Sequence, residues 1–89
     1  MREPEAETLA LKALAYLAAD ADTLLRFLAL SGLEVEDLRA RAAEPELLAA
    51  VMDFVLGDEK LSAAFANAQD LDAPALNAIR RALPGAADR

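Results

Sequence analysis

The segment that decides the fold spans residues 27–39 and reads FLALSGLEVEDLR. A run of apolar residues at helical spacing ends at Gly32, and a second amphipathic run begins within three residues. A glycine in this position supplies the left-handed residue that ends many α-helices. Leu33 and Leu38 are spaced so that the second helix would fold back against the first. The segment therefore predicts a helix-turn-helix-like corner at Gly32.

The composition of the chain favours an all-α fold. Hydrophobic residues make up 56% of the 89 residues and aromatic residues only 4%. Because Ala and Leu dominate the apolar set, the chain suits closely packed helices better than strands. We predict a compact bundle of five to six short helices, formed by residues 1–89 as a single helical domain with residues 1–3 and 86–89 frayed.

Asp, Pro and Gly residues mark where the helices start and stop. Glu34 is a weak cap for the third helix. The predicted helices run from about Pro4 to Ala19, from Asp20 to Gly32, from Val35 to about Ala42, from Pro45 to about Leu56 with a stop at Gly57, from Asp58 to about Ala68, and from Asp72 to a stop at Pro84-Gly85.

Helical periodicity identifies the residues that we expect inside the bundle. The inward face of the second helix is predicted to consist of Leu24, Leu25, Phe27 and Leu28, with Leu25 and Leu28 receiving the third helix. The predicted core consists of Leu14, Leu17, Leu28, Leu38, Val51, Phe54, Val55 and Phe65.

The first and fourth helices are apolar around most of their circumference. Two interpretations stay open: both helices lie at the centre of the bundle, or their outer faces are covered by another protein or a second copy. Under the second interpretation the interface residues are Leu11, Ala15, Leu47 and Met52.

The charges and the missing residue types exclude several functions. The net charge is −7, which disfavours binding to phosphate backbones and anionic membranes. The sequence has no Cys and no His, and no base is evident near Ser31 or Ser62, so we expect no catalysis and no small-molecule substrate. The absence of Cys, an acidic N-terminus and the shortness of the apolar run 9–19 favour a cytoplasmic protein without a membrane span.

Acidic residues occur in three close pairs: Asp20 with Asp22, Asp58 with Glu59, and Asp70 with Asp72. Carboxylate pairs can bind Ca²⁺ or Mg²⁺, but the last pair lacks the glycine and distal Glu of a calcium loop. Each pair also stands where a helix cap is expected. We therefore predict capping, with no metal and no cofactor.

Nucleic-acid binding is the alternative function for the corner. A second helix in this position could enter a major groove, with Arg39 and Arg41 as contacts, joined by Arg80 and Arg81 from the last helix. Residues 34–37 carry three acids, however, at the end of the helix that would face the bases. Arg80 and Arg81 also suit a helix C-terminus. Nucleic acid is therefore the less favoured partner.

Several sequence blocks, taken in order, carry a resemblance to a known family. The blocks are residues 10–20 (ALKALAYLAAD), 26–33 (RFLALSGL), 36–39 (EDLR), 48–56 (LAAVMDFVL), 58–59 (DE), 64–65 (AF) and 81–85 (RALPG). In this order they resemble the uncharacterised alphaproteobacterial family catalogued as domain of unknown function 3572. Val35 departs from the Pro that we associate with the family, and the chain ends at Arg89 without an aromatic extension. The resemblance implies a bacterial cytoplasmic source and brings no catalytic or binding residues.

The sequence as a whole favours a non-catalytic helical module for protein–protein interaction, with a homodimer as one form. This expectation follows from the surplus apolar helix surface and the missing catalytic residue types. The alternative is a nucleic-acid-associated regulator that uses the corner.

Overall fold

A computed structural model describes residues 1–84, and all of the regular structure in this part is helical. The predicted all-α bundle is confirmed. Glu3 is already helical, so only two of residues 1–3 precede the first helix, and the predicted frayed segment 86–89 lies outside the described residues. The helices are α1 (Glu3–Ala18), α2 (Ala21–Ser31), α3 (Val35–Arg41), α4 (Pro45–Leu56), α5 (Glu59–Ala68) and α6 (Ala73–Arg81).

Helices α1 and α4 form the centre of the bundle. Their mutual contact is the most extensive in the described chain, and each also packs against α2, α5 and α6. The face of α1 toward its neighbours carries three fully buried alanines, Ala6, Ala10 and Ala13. Small side chains let two helix backbones approach closely, so this alanine stripe explains the close packing of α1. The packing agrees with the interpretation that both helices lie at the centre of the bundle.

Three predicted aspartate caps are confirmed at the starts of α2, α5 and α6. The Thr23 amide donates to Asp20 at 3.1 Å and the Leu61 amide donates to Asp58 at 3.1 Å. In the last helix the Ala75 amide donates to Asp72 at 3.0 Å. Each bond satisfies one of the amides that a helix start leaves without an intrahelical partner.

The corner after α2 has the predicted left-handed glycine. Gly32 has φ 76° and ψ 9°, and its amide donates to the carbonyl oxygen of Leu28 at 2.9 Å. The start of α3 is held by Asp37, whose carboxylate accepts from the Glu34 amide at 2.8 Å. Leu38 anchors α3 in the core, while the first turn of α3 stays at the surface.

Two predicted helix stops differ in detail. Gly57 does end α4, but with a right-handed φ of −80°, so it does not use the freedom of glycine to turn left-handed. The last helix ends at Arg81, before the predicted stop at Pro84, and Gly85 lies outside the described residues.

The end of α5 contains a feature that the sequence analysis did not predict. Asp70 has a left-handed φ of 57°, and the Leu71 amide donates to the Ala66 carbonyl oxygen at 2.8 Å. The Asp70 amide donates to Asn67 at 3.3 Å, which completes the pair of bonds known as a Schellman motif. Asp70 therefore occupies a position that usually carries glycine.

The predicted inward face of α2 is wrong in part. Phe27 is the buried residue of α2, Leu28 is only partly buried, and Leu25 is 63% exposed. Two residues advance a helix by about 200°, so Leu25 must point away from the side on which Phe27 packs. The prediction that the third helix packs against Leu25 is therefore wrong.

Six of the eight predicted core residues are confirmed as buried. Leu28 is only partly buried, and so is Phe54. Its ring packs with the Phe27 ring at a centroid distance of 5.4 Å. The buried residues outside the predicted core set, among them Phe27 from the predicted inward face of α2, are Ala6, Ala10, Ala13, Phe27, Leu47, Leu48, Ala49, Met52, Ala66, Leu76, Ile79 and Leu83.

Candidate interaction groove

A shallow groove of about 270 Å³ lies between α2 and α4. Its most prominent side chain is Leu30, which is 78% exposed and stands beside the partly buried Phe54. Single exposed apolar residues are common, but an exposed leucine that adjoins other apolar surface contributes to a contiguous patch, the feature that marks interaction sites. We call this site the α2–α4 groove and define it by its lining residues Phe27, Leu30, Ser31, Ala50, Asp53 and Phe54.

The floor of the α2–α4 groove is aromatic, and one end is held by an arginine. The Phe27 and Phe54 rings meet at 68°, an edge-to-face arrangement. The guanidinium of Arg26 lies 5.5 Å from the centroid of the Phe54 ring, within the range of a cation–π contact. The same guanidinium donates to Asp58 at 3.0 Å. Arg26 thus connects α2 with α4 and with the start of α5.

The groove continues toward an acidic rim at the α4–α5 junction. We call Asp53, Asp58 and Glu59 the acidic rim; Arg26 is the cation that lines the same depression. Asp53 accepts from Arg80 at 2.7 Å and is still 63% exposed. The pKa of Asp58 lies below its ordinary value because its carboxylate accepts from the Leu61 amide and then from Arg26. Asp58 therefore remains ionised well below neutral pH.

The structure separates the four predicted interface residues into two groups. Leu11 and Ala15 are exposed on the outer face of α1. Leu47 is 3% exposed and Met52 is fully buried, so the prediction that these two form an exposed interface is wrong. The apolar circumference of α4 is explained by the neighbours that surround it in the bundle.

The four predicted nucleic-acid contacts do not form a ready cationic surface. Arg41 pairs with Glu44 at 2.9 Å and Arg80 pairs with Asp53 at 2.7 Å. Arg39 and Arg81 are exposed, on helices that share no extensive contact within residues 1–84. Two of the four predicted contacts are therefore already paired with carboxylates and are not free to meet phosphates.

Two further observations on residues 1–84 concern metal binding and membrane crossing. No group of three or more acidic side chains in this part is arranged to hold a metal ion. No helix among these residues combines the length and apolar character needed to cross a bilayer.

A comparison with protein families places the chain. The family described as "Protein of unknown function (DUF3572)" matches residues 3–86. The chain belongs to this family. The resemblance inferred from the sequence blocks is thereby confirmed. No curated protein and no solved structure matches the chain.

In this DUF3572 member the exposed apolar surface lies on α1 and, to a greater extent, on α2. The prediction placed it on α1 and α4; Leu11 of α1 is 44% exposed, but the most exposed leucines, Leu25 and Leu30, are on α2. A signal was present in the sequence, because α2 has five large apolar residues between Leu24 and Leu30. One contact face of a helix accommodates about three to four residues in two turns, so at least one of the five had to face outward.

Proposed function

We propose that this protein is a non-catalytic helical module that acts in the cytoplasm and binds another protein chain through the α2–α4 groove. The observation that carries the proposal is the exposure of Leu30 beside Phe54 in a groove with an apolar floor. Covering these groups removes apolar surface from water, which is favourable by a transfer free energy of about 25 cal/mol per Å². Helix-in-groove contacts between proteins use this arrangement.

The serine contacts support the non-catalytic part of the proposal. Ser31 Oγ lies 3.4 Å from the Leu28 carbonyl oxygen, and Ser62 Oγ donates to the Glu59 carbonyl oxygen at 3.2 Å. Both hydroxyls thus bond to their own helix backbone. The sequence contains no His or Cys, so the commonest bases and nucleophiles for a covalent mechanism are missing.

Site-specific photo-crosslinking tests the proposal. A photoreactive phenylalanine analogue placed at position 30 is expected to form adducts with a second chain in native lysate or in the purified protein. The same analogue at position 25 is the control, because Leu25 is also exposed on α2 but does not line the groove.

Light scattering on a size-exclusion column completes the test. Adducts at position 30 that exceed those at position 25 support a binding groove, whether the partner is a second copy or another protein. If position 30 gives no more adduct than position 25 and the purified protein stays a monomer of 9.4 kDa at every concentration, the proposed function is wrong.

A further inference from the structure

We propose that the occupant of the α2–α4 groove is a basic amphipathic helix of a partner protein. This inference rests on the proposed function and names the class of partner. Apolar side chains of the partner helix would cover Leu30 and Phe54, while its Lys or Arg side chains would face the acidic rim at Asp53, Asp58 and Glu59.

The charges around the groove favour a cationic occupant. Two carboxylates of the acidic rim are already paired, Asp53 with Arg80 and Asp58 with Arg26, whereas Glu59 has no ion-pair partner among residues 1–84, so the rim keeps a negative excess. Asp53 remains largely exposed although it pairs with Arg80, so it can accept a second donor. The chain as a whole carries a net charge of −7, which attracts a basic segment over a longer range.

The dimensions of the groove favour contact with about two turns of a helix. Along α4 the lining runs from Ala50 through Phe54 to Gly57, a span of about 10 Å at 1.5 Å per residue. This span seats two apolar side chains spaced i, i+4 on a partner helix. Within the acidic rim, Asp53 then lies along the seated helix, whereas Asp58 and Glu59 lie beyond one end of this span, where flanking basic residues would reach them.

The same charges disfavour a second copy of this chain as the occupant. A two-fold contact through the groove would bring the acidic rim of each copy close to the surface of another chain of net charge −7. Like charges across an interface oppose association. A positively charged partner is attracted by the same carboxylates that would repel a second copy.

Two synthetic peptides of about 14 residues, or four helical turns, test the inference. Both carry leucines at i, i+4 and i+7; one has Lys at the remaining polar positions and the other has Glu. We expect the Lys peptide to bind about tenfold more tightly than the Glu peptide. Its binding should shift the amide resonances of Leu30, Ala50 and Phe54.

Matched variants separate groove binding from general attraction to an acidic protein. Leu30→Ser is expected to weaken the Lys peptide about tenfold, and Leu25→Ser should leave its affinity unchanged. Glu59→Lys alters the acidic rim, whereas Glu36→Lys makes the same change of net charge on α3, outside the groove. We expect only Glu59→Lys to weaken binding strongly.

Several outcomes would overturn the inference. Equal effects of Glu59→Lys and Glu36→Lys would mean a non-specific charge effect. Equal binding of the two peptides, or binding of neither, would contradict a basic partner. Formation of a dimer that Leu30→Ser abolishes would assign the groove to a second copy, which refutes the basic helix while leaving the proposed function intact.

Discussion

Gly32 shapes the corner between α2 and α3 through its backbone alone. Apart from Gly32 and its two chain neighbours, no residue has an atom within 4 Å of the position that a Cβ would occupy, so a substitution there meets strain and not a clash. We expect Gly32→Ala to lower the free energy of unfolding by about 1–2 kcal/mol because of the left-handed φ. Gly32→Val should lower it by more, since a β-branched residue tolerates positive φ least.

Gly32→Asn is the matched variant at the same position, because Asn adopts the left-handed region more readily. It should be more stable than Gly32→Ala in urea unfolding. If the Ala variant unfolds at the same urea concentration as the wild type, the left-handed corner is wrong.

Asp70 presents the opposite case, a non-glycine residue in a left-handed position. We expect Asp70→Gly to raise the free energy of unfolding by about 0.5 kcal/mol, because relief of strain exceeds the added entropy of the unfolded chain. Thermal unfolding measures the change. Asp72→Ala is the contrasting variant: it removes the cap of α6 and should cost about 1 kcal/mol. A lower melting temperature for Asp70→Gly would contradict the strain argument.

Helix α1 has a buried alanine stripe on one side and exposed alanines on the other. Ala10 is fully buried against the neighbouring helices, whereas Ala15 is exposed. We expect Ala10→Val to cost about 1–3 kcal/mol, because an enlarged side chain forces the helices apart. Ala15→Val has the same change in volume and helix propensity and should cost less than about 1 kcal/mol. Equal losses in urea unfolding would contradict the packing of α1.

The aspartate caps of α2 and α5 make the free energy of unfolding depend on pH in the acidic range. The pKa of Asp58 is lowered by its bonds to the Leu61 amide and to Arg26, and the pKa of Asp20 is lowered by its bonds to Thr23. A carboxyl whose folded pKa is depressed contributes stability above its unfolded pKa of about 3.9. That stability is lost as the pH falls through the folded value.

We therefore expect the urea concentration at the midpoint of unfolding to decrease as the pH is lowered below about 4. Asp58→Asn keeps an oxygen acceptor for the Leu61 amide but carries no charge, so its midpoint should depend less on pH in this range. Asp22→Asn, which removes an exposed carboxylate in the first turn of α2, serves as the control. Identical acid profiles for wild type and Asp58→Asn would contradict the role of Asp58.

The sequence predicted element boundaries better than element faces, for a physical reason. Caps depend on neighbouring residues, so Asp20, Asp58 and Asp72 could be identified from the sequence alone. Which side of α2 faces inward depends on distant helices, and all sides of its second half are apolar. The exposure of Leu30, and with it the candidate groove, therefore required the packed bundle.

The net charge governs the behaviour of the whole molecule in salt. The bundle measures 29 × 25 × 22 Å, comparable to the Debye length of about 30 Å at 0.01 M salt. Its excess carboxylates therefore repel one another across the molecule at low ionic strength. At pH 7 we expect the melting temperature to rise by about 4 °C between 0.01 M and 0.1 M NaCl.

The rise should disappear near pH 4.4, where the net charge approaches zero. Differential scanning calorimetry at the two pH values measures both effects. A melting temperature that falls with salt at pH 7 would mean that ion pairs such as the three within residues 1–84 outweigh the repulsion.

The contact of α1 with α6 links the fold to the order in which the ribosome makes the chain. The alanine stripe of α1 emerges first, but its partners α4 and α6 are synthesised later. A translation product that stops before Ala73 would lack Leu76 and Ile79, and would leave apolar surface of α1 and α4 in water. Incomplete chains of this protein are therefore expected to be chaperone clients and protease substrates. Once α6 is present, the same apolar surface of α1 and α4 is buried.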